Sequence, residues 1–188
     1  MKSVICVRTM KIISLAIMGA ALALISYGCS SPQNPEATAN TSGSPSNAGD
    51  WSYTPPEGFE EQKQQDRGDT VFNGPKEDGF QTNLRVKGGT NDRQTSEQIG
   101  KDILKKILNQ PNTTLKEEEP YTLADSDCYT WMVSRKGKSG KIAEQRQFIV
   151  SKKGIVVLFT LTAPESTMSK WDQALADSLK TFHWGRSQ

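Results

Sequence analysis

The sequence has 188 residues and a formal net charge of +2, with 35% apolar and 23% charged residues. This length is typical of one globular domain with added segments, and the apolar fraction is sufficient for a hydrophobic core. Three cysteines are too few for a disulfide-rich fold, and a charge near zero does not predict a nucleic-acid partner.

The start of the chain has the pattern of an export signal. Three basic residues precede an apolar run over residues 12–27, and Gly28 stands directly before Cys29. A basic start, an apolar middle and a small residue at the cut site are typical of a signal peptide. A cysteine directly after that site resembles the lipobox of bacterial lipoproteins. The resemblance predicts that residues 1–28 are a lipoprotein signal peptide and that Cys29 becomes the acylated N-terminus.

Two alternatives stay open for this segment. An ordinary signal peptidase would cleave it without acylation, or the apolar run would stay as a membrane helix, at the short edge of the roughly 17–25 residues needed. All three cases send residues 30–188 out of the cytoplasm. The expected location is the cell envelope, and the outer membrane where the host has one, because Ser30 resembles the default outer-membrane sorting pattern.

The next segment is predicted to be a flexible tether with acylated Cys29 at its start, residues 29–50. Residues 30–50 contain no Leu, Ile, Val or aromatic residue, so they bury too little apolar surface to offset their ordering entropy. A chain of this length spans about 25 Å root-mean-square. Residues 1–28 hold three basic and no acidic residues, so their removal changes the formal charge from +2 to −1. That balance does not predict binding to nucleic acid or to an anionic membrane surface.

Residues 51–188 are predicted to form one domain, from the alternation of apolar residues in strands and their helical spacing in helices. The predicted elements are extended segments at 51–53 and 59–62, strands at 69–73 and 80–87, a helix at 95–110, strands at 115–124, 128–135, 142–151 and 155–163, and a helix at 166–182.

Local signals support these elements. Thr95 with Gln98 three residues later is typical of a capping box, and Pro111 ends the first helix. Pro120 makes the strand around it an edge strand, whereas the nearly continuous apolar run over 155–163 predicts a central strand. The order of elements predicts an α+β fold, with a mainly antiparallel sheet between two helices.

Several short sequence motifs lie along these elements, in chain order. They are Tyr53-Thr-Pro-Pro-Glu-Gly-Phe59, Phe72-Asn-Gly-Pro75, Asn83-Leu-Arg-Val86, Gln145-Arg-Gln-Phe-Ile-Val150, Thr160-Leu-Thr-Ala163 and Ser178-Leu-Lys-Thr-Phe182.

Together these motifs resemble the PsbP-like superfamily over residues 51–188. That superfamily includes the extrinsic PsbP protein of photosystem II, a nuclear-import factor that binds Ran, and many bacterial lipoproteins. The resemblance implies a single PsbP-like domain, folded as an α–β–α sandwich. It carries no catalytic signature and implies no site residues.

The acidic residues after the first helix are weak candidates for a metal site. Glu117, Glu119, Asp125 and Asp127 supply the carboxylate oxygens that hard cations such as Ca²⁺ prefer. In an extended strand, however, Glu118 faces away from its two neighbours, so the three glutamates do not converge. The alternative is a solvated edge that resists pairing with other sheets.

Signatures of catalysis are missing from the sequence. His183 is the only histidine, and no zinc spacing, phosphate-binding loop or dinucleotide fingerprint occurs. Cys128 is the only cysteine after Cys29, so it is either buried or paired with another chain. Trp51 and Trp184, at the two ends of the domain, either pack together or form a patch for a partner.

The sequence therefore predicts a non-enzymatic protein without a cofactor. We expect a lipid-anchored binding or accessory module outside the cytoplasm. Its partners are the membrane, through the lipid on Cys29, and an unidentified envelope protein. The alternative is a carrier or sensor of a small ligand or divalent cation, held between sheet and helices. No partner-binding residues are predicted.

Overall fold

A computed structural model of the chain describes residues 51–62, 69–91 and 94–185. The predictions for the signal peptide, Cys29 and the tether lie outside these residues. Among the helices described, none has the length and apolar character needed to span a membrane.

Nine strands and two helices make up the described part of the chain. Seven strands pair antiparallel in the order β2-β3-β4-β8-β7-β6-β5, and β1 pairs with β9 in a separate ribbon. This confirms the predicted α+β class. The elements are β1 (Trp51–Ser52), β2 (Glu60–Gln62), β3 (Asp69–Glu77), β4 (Phe80–Thr90), α1 (Ser96–Leu108), β5 (Thr113–Leu123), β6 (Ser126–Lys136), β7 (Ile142–Lys152), β8 (Ile155–Pro164), α2 (Met168–Leu179) and β9 (His183–Trp184).

The sheet lies between the two helices. On one face Leu104 of α1 packs against Tyr129, Trp131 and Ile149 in a small core. On the other face α2 packs on a larger aromatic and aliphatic core that includes Phe159 of β8. This confirms the central position of β8, which buries side chains on both faces, as its apolar run predicts.

The first helix begins as predicted. The amide of Gln98 donates to Thr95 Oγ1 at 3.2 Å and the amide of Thr95 donates to Gln98 Oε1 at 2.9 Å, so the capping box is confirmed. Helix α2 is shorter than predicted at both ends. The amides of Thr167 and Phe182 instead form turn hydrogen bonds with Pro164 and Leu179 respectively.

Strands β3 and β4 end four and three residues later than predicted, respectively. We expected β3 to end before Gly74-Pro75, but it continues through a bulge where the register shifts between Asn73 and Lys76. A bulge tolerates Pro75, because this residue has no amide hydrogen for the ladder. Strand β4 continues through Gly88 and Gly89, because both pair with β8.

The β1–β9 ribbon joins the two ends of the domain. Trp51 is opposite Trp184 in its register, and Phe182 contacts both indole rings, with centroids 6.1 and 5.2 Å away. Trp51 is 2% exposed, and Trp184 is half-buried. The two tryptophans therefore belong to one packed cluster, which is the first of the two predicted arrangements.

We predict that Gly100→Ala destabilises the domain, although alanine ordinarily favours a helix. A Cβ at this position would lie 2.1 Å from Cδ1 of Tyr129 and 3.1 Å from Cδ1 of Ile149. Overpacking should lower the free energy of unfolding by about 1–3 kcal/mol, measured by chemical denaturation. Gly137→Ala is the control, since its Cβ would come no nearer than 3.5 Å to a neighbour. Equal stability of Gly100→Ala and the parent would contradict the close helix–sheet contact.

Candidate functional site

A cluster of charged side chains lies between α2 and the edge strand β5, and we call it the α2–β5 charge cluster. Its residues are Lys116, Glu117, Glu144, Arg146, Glu165 and Asp172. Its centre is Arg146 on β7, whose alternate residues face α2. The neighbouring inward positions hold Glu144 and Phe148, so a strand that packs on the core also carries two charges inward. Arg146 is only 6% exposed.

Arg146 is neutralised by carboxylates from two other elements. Its Nε and Nη2 donate to the two oxygens of Asp172 on α2, both at 3.1 Å, and Nη2 also donates to Glu117 on β5. Burial, the largest influence, lowers the pKa of Arg146, but the hydrogen bonds to Asp172 and Glu117 outweigh it, and the pKa is raised. Arg146 therefore ties the last helix to the sheet and to its edge.

A second group of ion pairs belongs to the same charge cluster. Lys116 Nζ lies 3.6 Å from a carboxylate oxygen of Glu144 and 3.6 Å from one of Glu165. Burial raises the pKa of Glu144 above its ordinary value, against the opposing attraction of Lys116. Four carboxylates thus surround two cations, and each of the four is within a salt bridge. These ion pairs connect β5, β7 and α2, and each of the four carboxylates already has a cationic partner.

The structure separates the four metal candidates. Glu117 and Glu119 lie on the α2 face of β5, and Glu118 lies on the opposite face, where it accepts a hydrogen bond from Tyr129, as strand alternation predicts. Asp125 is in the turn between β5 and β6, and Asp127 is opposite Thr122 on the α1 face. Within residues 51–62, 69–91 and 94–185, no group of three metal-ligating side chains is close enough to hold an ion.

The remaining candidates have structural partners. Cys128 is a buried free thiol, and burial raises its pKa to about 12, which makes it unreactive. His183 is exposed; its Nε2 lies 2.7 Å from Ser52 Oγ and its Nδ1 lies 3.0 Å from the carbonyl oxygen of Thr181. Two depressions in the described part are open to solvent. One lies at the start of α1, beside Lys152, and the other lies beside Lys141.

Sequence reasoning missed Arg146 and Asp172. The alternation of residues in β7 did indicate Arg146, because Glu144 and Arg146 occupy the same inward face of this strand as Phe148 and Val150. Charges at inward positions of a strand predict buried ion pairs. The partner on α2 lies 26 residues away, so pairing required the packing of the helix on the sheet.

Comparison with known proteins shows the fold. No protein-family model and no curated protein matches the sequence. LpqN of Mycobacterium tuberculosis, involved in cell envelope biogenesis, aligns with a TM-score of 0.57 and 12% identity over 72% of this chain and 83% of that chain. Cyanobacterial PsbP (CyanoP) of Synechocystis sp. PCC 6803 aligns with a TM-score of 0.52 and 15% identity over 71% and 86% of the two chains.

A protein of unknown function from Pseudomonas aeruginosa is similar to the same degree. Its TM-score is 0.52, with 13% identity over 63% of this chain and 84% of that chain. These likenesses, at low identity, concern the fold. The domain has a PsbP-like fold, which confirms the resemblance seen in the sequence motifs.

We predict that Asp172→Asn destabilises the domain by about 1–3 kcal/mol, because it leaves a buried guanidinium with a single anionic partner, the half-exposed Glu117. Asp177→Asn on the same helix is the matched control, since Asp177 pairs with Lys180 at the surface and their side chains are 55% and 72% exposed. Urea denaturation of both variants measures the difference. Equal unfolding midpoints for the two would contradict a buried role for the Arg146 pair.

We predict that Glu144 makes stability fall as the pH rises. Its folded pKa lies above the ordinary value of 4.5, so the native state binds its proton more tightly than the unfolded chain does. Stability is therefore lost from about pH 4.5 upwards, until the group is ionised in the native state. Glu144→Gln should gain stability relative to the parent between about pH 4 and pH 7.

Denaturation curves across that pH range test this expectation. Glu165→Gln is the control, because it removes the other partner of Lys116 at a side chain that is 46% exposed. Parallel pH profiles for Glu144→Gln and the parent would show that burial of Glu144 has no energetic consequence.

Proposed function

We propose that this chain is a lipid-anchored protein of the cell envelope, exported from the cytoplasm and acylated on Cys29. The observation that carries the proposal is the position of Cys29, directly after a basic start, an apolar run and a small residue. The polar, aliphatic-poor segment over residues 30–50 then separates the anchor from a domain with its own core. Several acyl chains, each buried CH₂ worth about 0.8 kcal/mol, make such attachment effectively permanent.

The domain acts as a non-enzymatic binding or accessory module that engages an envelope protein. The PsbP-like fold supports this, since LpqN, a protein of the same fold, is involved in cell envelope biogenesis. The α2–β5 charge cluster is compatible with an accessory role, because its ion pairs connect α2 and β5 to each other.

We predict that Cys29→Ala abolishes acylation and releases the protein from the membrane fraction. The measurement is detergent-phase partitioning of protein from host cells, together with mass spectrometry of the mature N-terminal peptide. Cys6→Ala is the matched control, because Cys6 lies in the segment that is removed, and it should leave the acylated peptide unchanged. A parent chain that partitions into the detergent phase with residues 1–28 still attached would instead support an uncleaved membrane helix.

Cross-linking in intact cells tests the accessory role. The acylated parent should cross-link reproducibly to an envelope protein, and the yield should fall in Cys29→Ala, because the anchor raises the local concentration of the partner. A parent that cross-links to no protein at all would refute the accessory role while leaving the anchor intact.

A further inference from the structure

The near-neutral net charge does not show where the cations lie on the domain. Six cations gather at one end, around the turn between β6 and β7 and the last turn of α1, and we call this region the basic end. We infer that the basic end binds the anionic surface of the membrane to which the chain is anchored. Its residues are Lys105, Lys106, Arg135, Lys136, Lys138 and Lys141.

Hydrogen bonds hold the loops of the basic end side by side. The amide of Lys136 donates to the carbonyl oxygen of Asn112 at 3.1 Å, which places the loop after α1 against the end of β6. Lys141 Nζ donates to the carbonyl oxygen of Asp78 at 2.6 Å, which joins the β6–β7 turn to the β3–β4 turn. The cations therefore share one end of the domain.

The cations of the basic end are available to an anionic surface. Five of the six side chains are exposed, Arg135 is half-buried, and none of the six forms a salt bridge with another residue of the part described. Two of the nearby carboxylates already have other partners. Glu165 pairs with Lys116 at 3.6 Å, and Glu77 pairs with Lys170 at 3.3 Å.

Two further carboxylates lie near the basic end. Asp102 is one turn earlier on α1 than Lys105 and Lys106, and Asp78 lies in the β3–β4 turn. Lys116 is shared by Glu144 and Glu165, which leaves one further negative charge. Three negative charges do not cancel six positive ones, so this end keeps a net positive charge.

Exposed apolar side chains accompany the charges. Leu108, Leu115 and Ile142 are 37%, 37% and 36% exposed, and all three lie in or near the loops of this end. Protein surfaces that bind anionic bilayers combine basic residues, which approach the headgroups, with apolar residues, which enter the interface. The basic end has both components.

The point where the tether joins the domain lies at the opposite end of the sheet. Trp184, opposite Trp51 in the β1–β9 ribbon, donates from Nε1 to Ser126 Oγ at 2.9 Å, and Ser126 begins β6. From there β6 runs about 33 Å to the basic end. The tether predicted over residues 29–50 is about 75 Å long when extended, so the basic end can reach the bilayer.

The anchor favours the membrane over a diffusing acidic protein. A tether with a root-mean-square span of about 25 Å keeps the bilayer at high effective concentration, so even weak electrostatic contacts are populated. This step rests on the proposed acylation of Cys29. Contact through the basic end would turn the domain, so that its tether-proximal end and the β1–β9 ribbon face away from the lipid.

The test uses the mature chain from residue 29 with Cys29→Ser, so that no acyl chain contributes to binding. Vesicles of phosphatidylcholine with about 30 mol% phosphatidylglycerol should bind the chain in cosedimentation, and vesicles of phosphatidylcholine alone should not. Raising the salt from about 50 to about 300 mM NaCl should weaken the binding strongly.

Two lysine pairs give matched variants with the same change in net charge. Lys136→Gln with Lys138→Gln removes two charges of the basic end, and should lower the partition coefficient by roughly 10- to 30-fold. Lys152→Gln with Lys153→Gln removes two charges beside the β7–β8 turn at the other end, and should change it by less than about twofold. Circular dichroism establishes that both variants are folded.

Two results would overturn the inference without touching the acylation of Cys29. One is the absence of binding to anionic vesicles at low salt, and the other is an equal loss of binding in both variants. A different result would assign the basic end to an acidic polypeptide instead. In that case the chain would not bind vesicles but would bind a polyglutamate resin, and only the Lys136→Gln, Lys138→Gln variant would lose this binding.

Discussion

The ring of Phe159, fully buried on the central strand β8, is the contact on which the arrangement of the domain depends. Trp51, Tyr53 and Phe182 pack on it, with ring centroids 6.3, 5.1 and 5.7 Å away, so the start and the end of the described chain meet on the central strand. Aromatic pairs at such distances add to the burial of apolar surface. Because this cluster holds β1 at one end of the sheet, it also fixes the position of Trp51, which follows the segment predicted to be a tether.

The charged groups divide into two kinds, with different consequences. Around Arg146 the charges are paired and the guanidinium itself is buried, so removal of one partner leaves part of a buried charge uncompensated. At the basic end the charges are exposed, and they add little to stability. Their positive potential persists because the neighbouring carboxylates, Asp78 and Asp102 among them, carry less charge than the six cations, so it is available to a surface outside the domain.

Local sequence patterns predicted correctly those features that depend on residues close together in the chain. The capping box at Thr95 and the central position of β8 follow from side-chain chemistry within a few residues, and both are confirmed. The edge position of β5, indicated by Pro120, is confirmed as well. The ribbon strand β9 and the bulge at Pro75 were missed, because each depends on pairing with a strand distant in sequence or on a register shift.

The sequence by itself determined the α+β class, the order of the elements and the separation of the glutamates on β5 to two faces, since strand periodicity places side chains on alternate sides. Only the tertiary structure decided that Arg146 pairs with Asp172 and that cations from α1 and the β6–β7 turn share one end. The net charge is a sum over all residues, and it contains no information on where each charge lies in the folded domain. Packing assigns each charge a position in space, and electrostatic interactions depend on those distances.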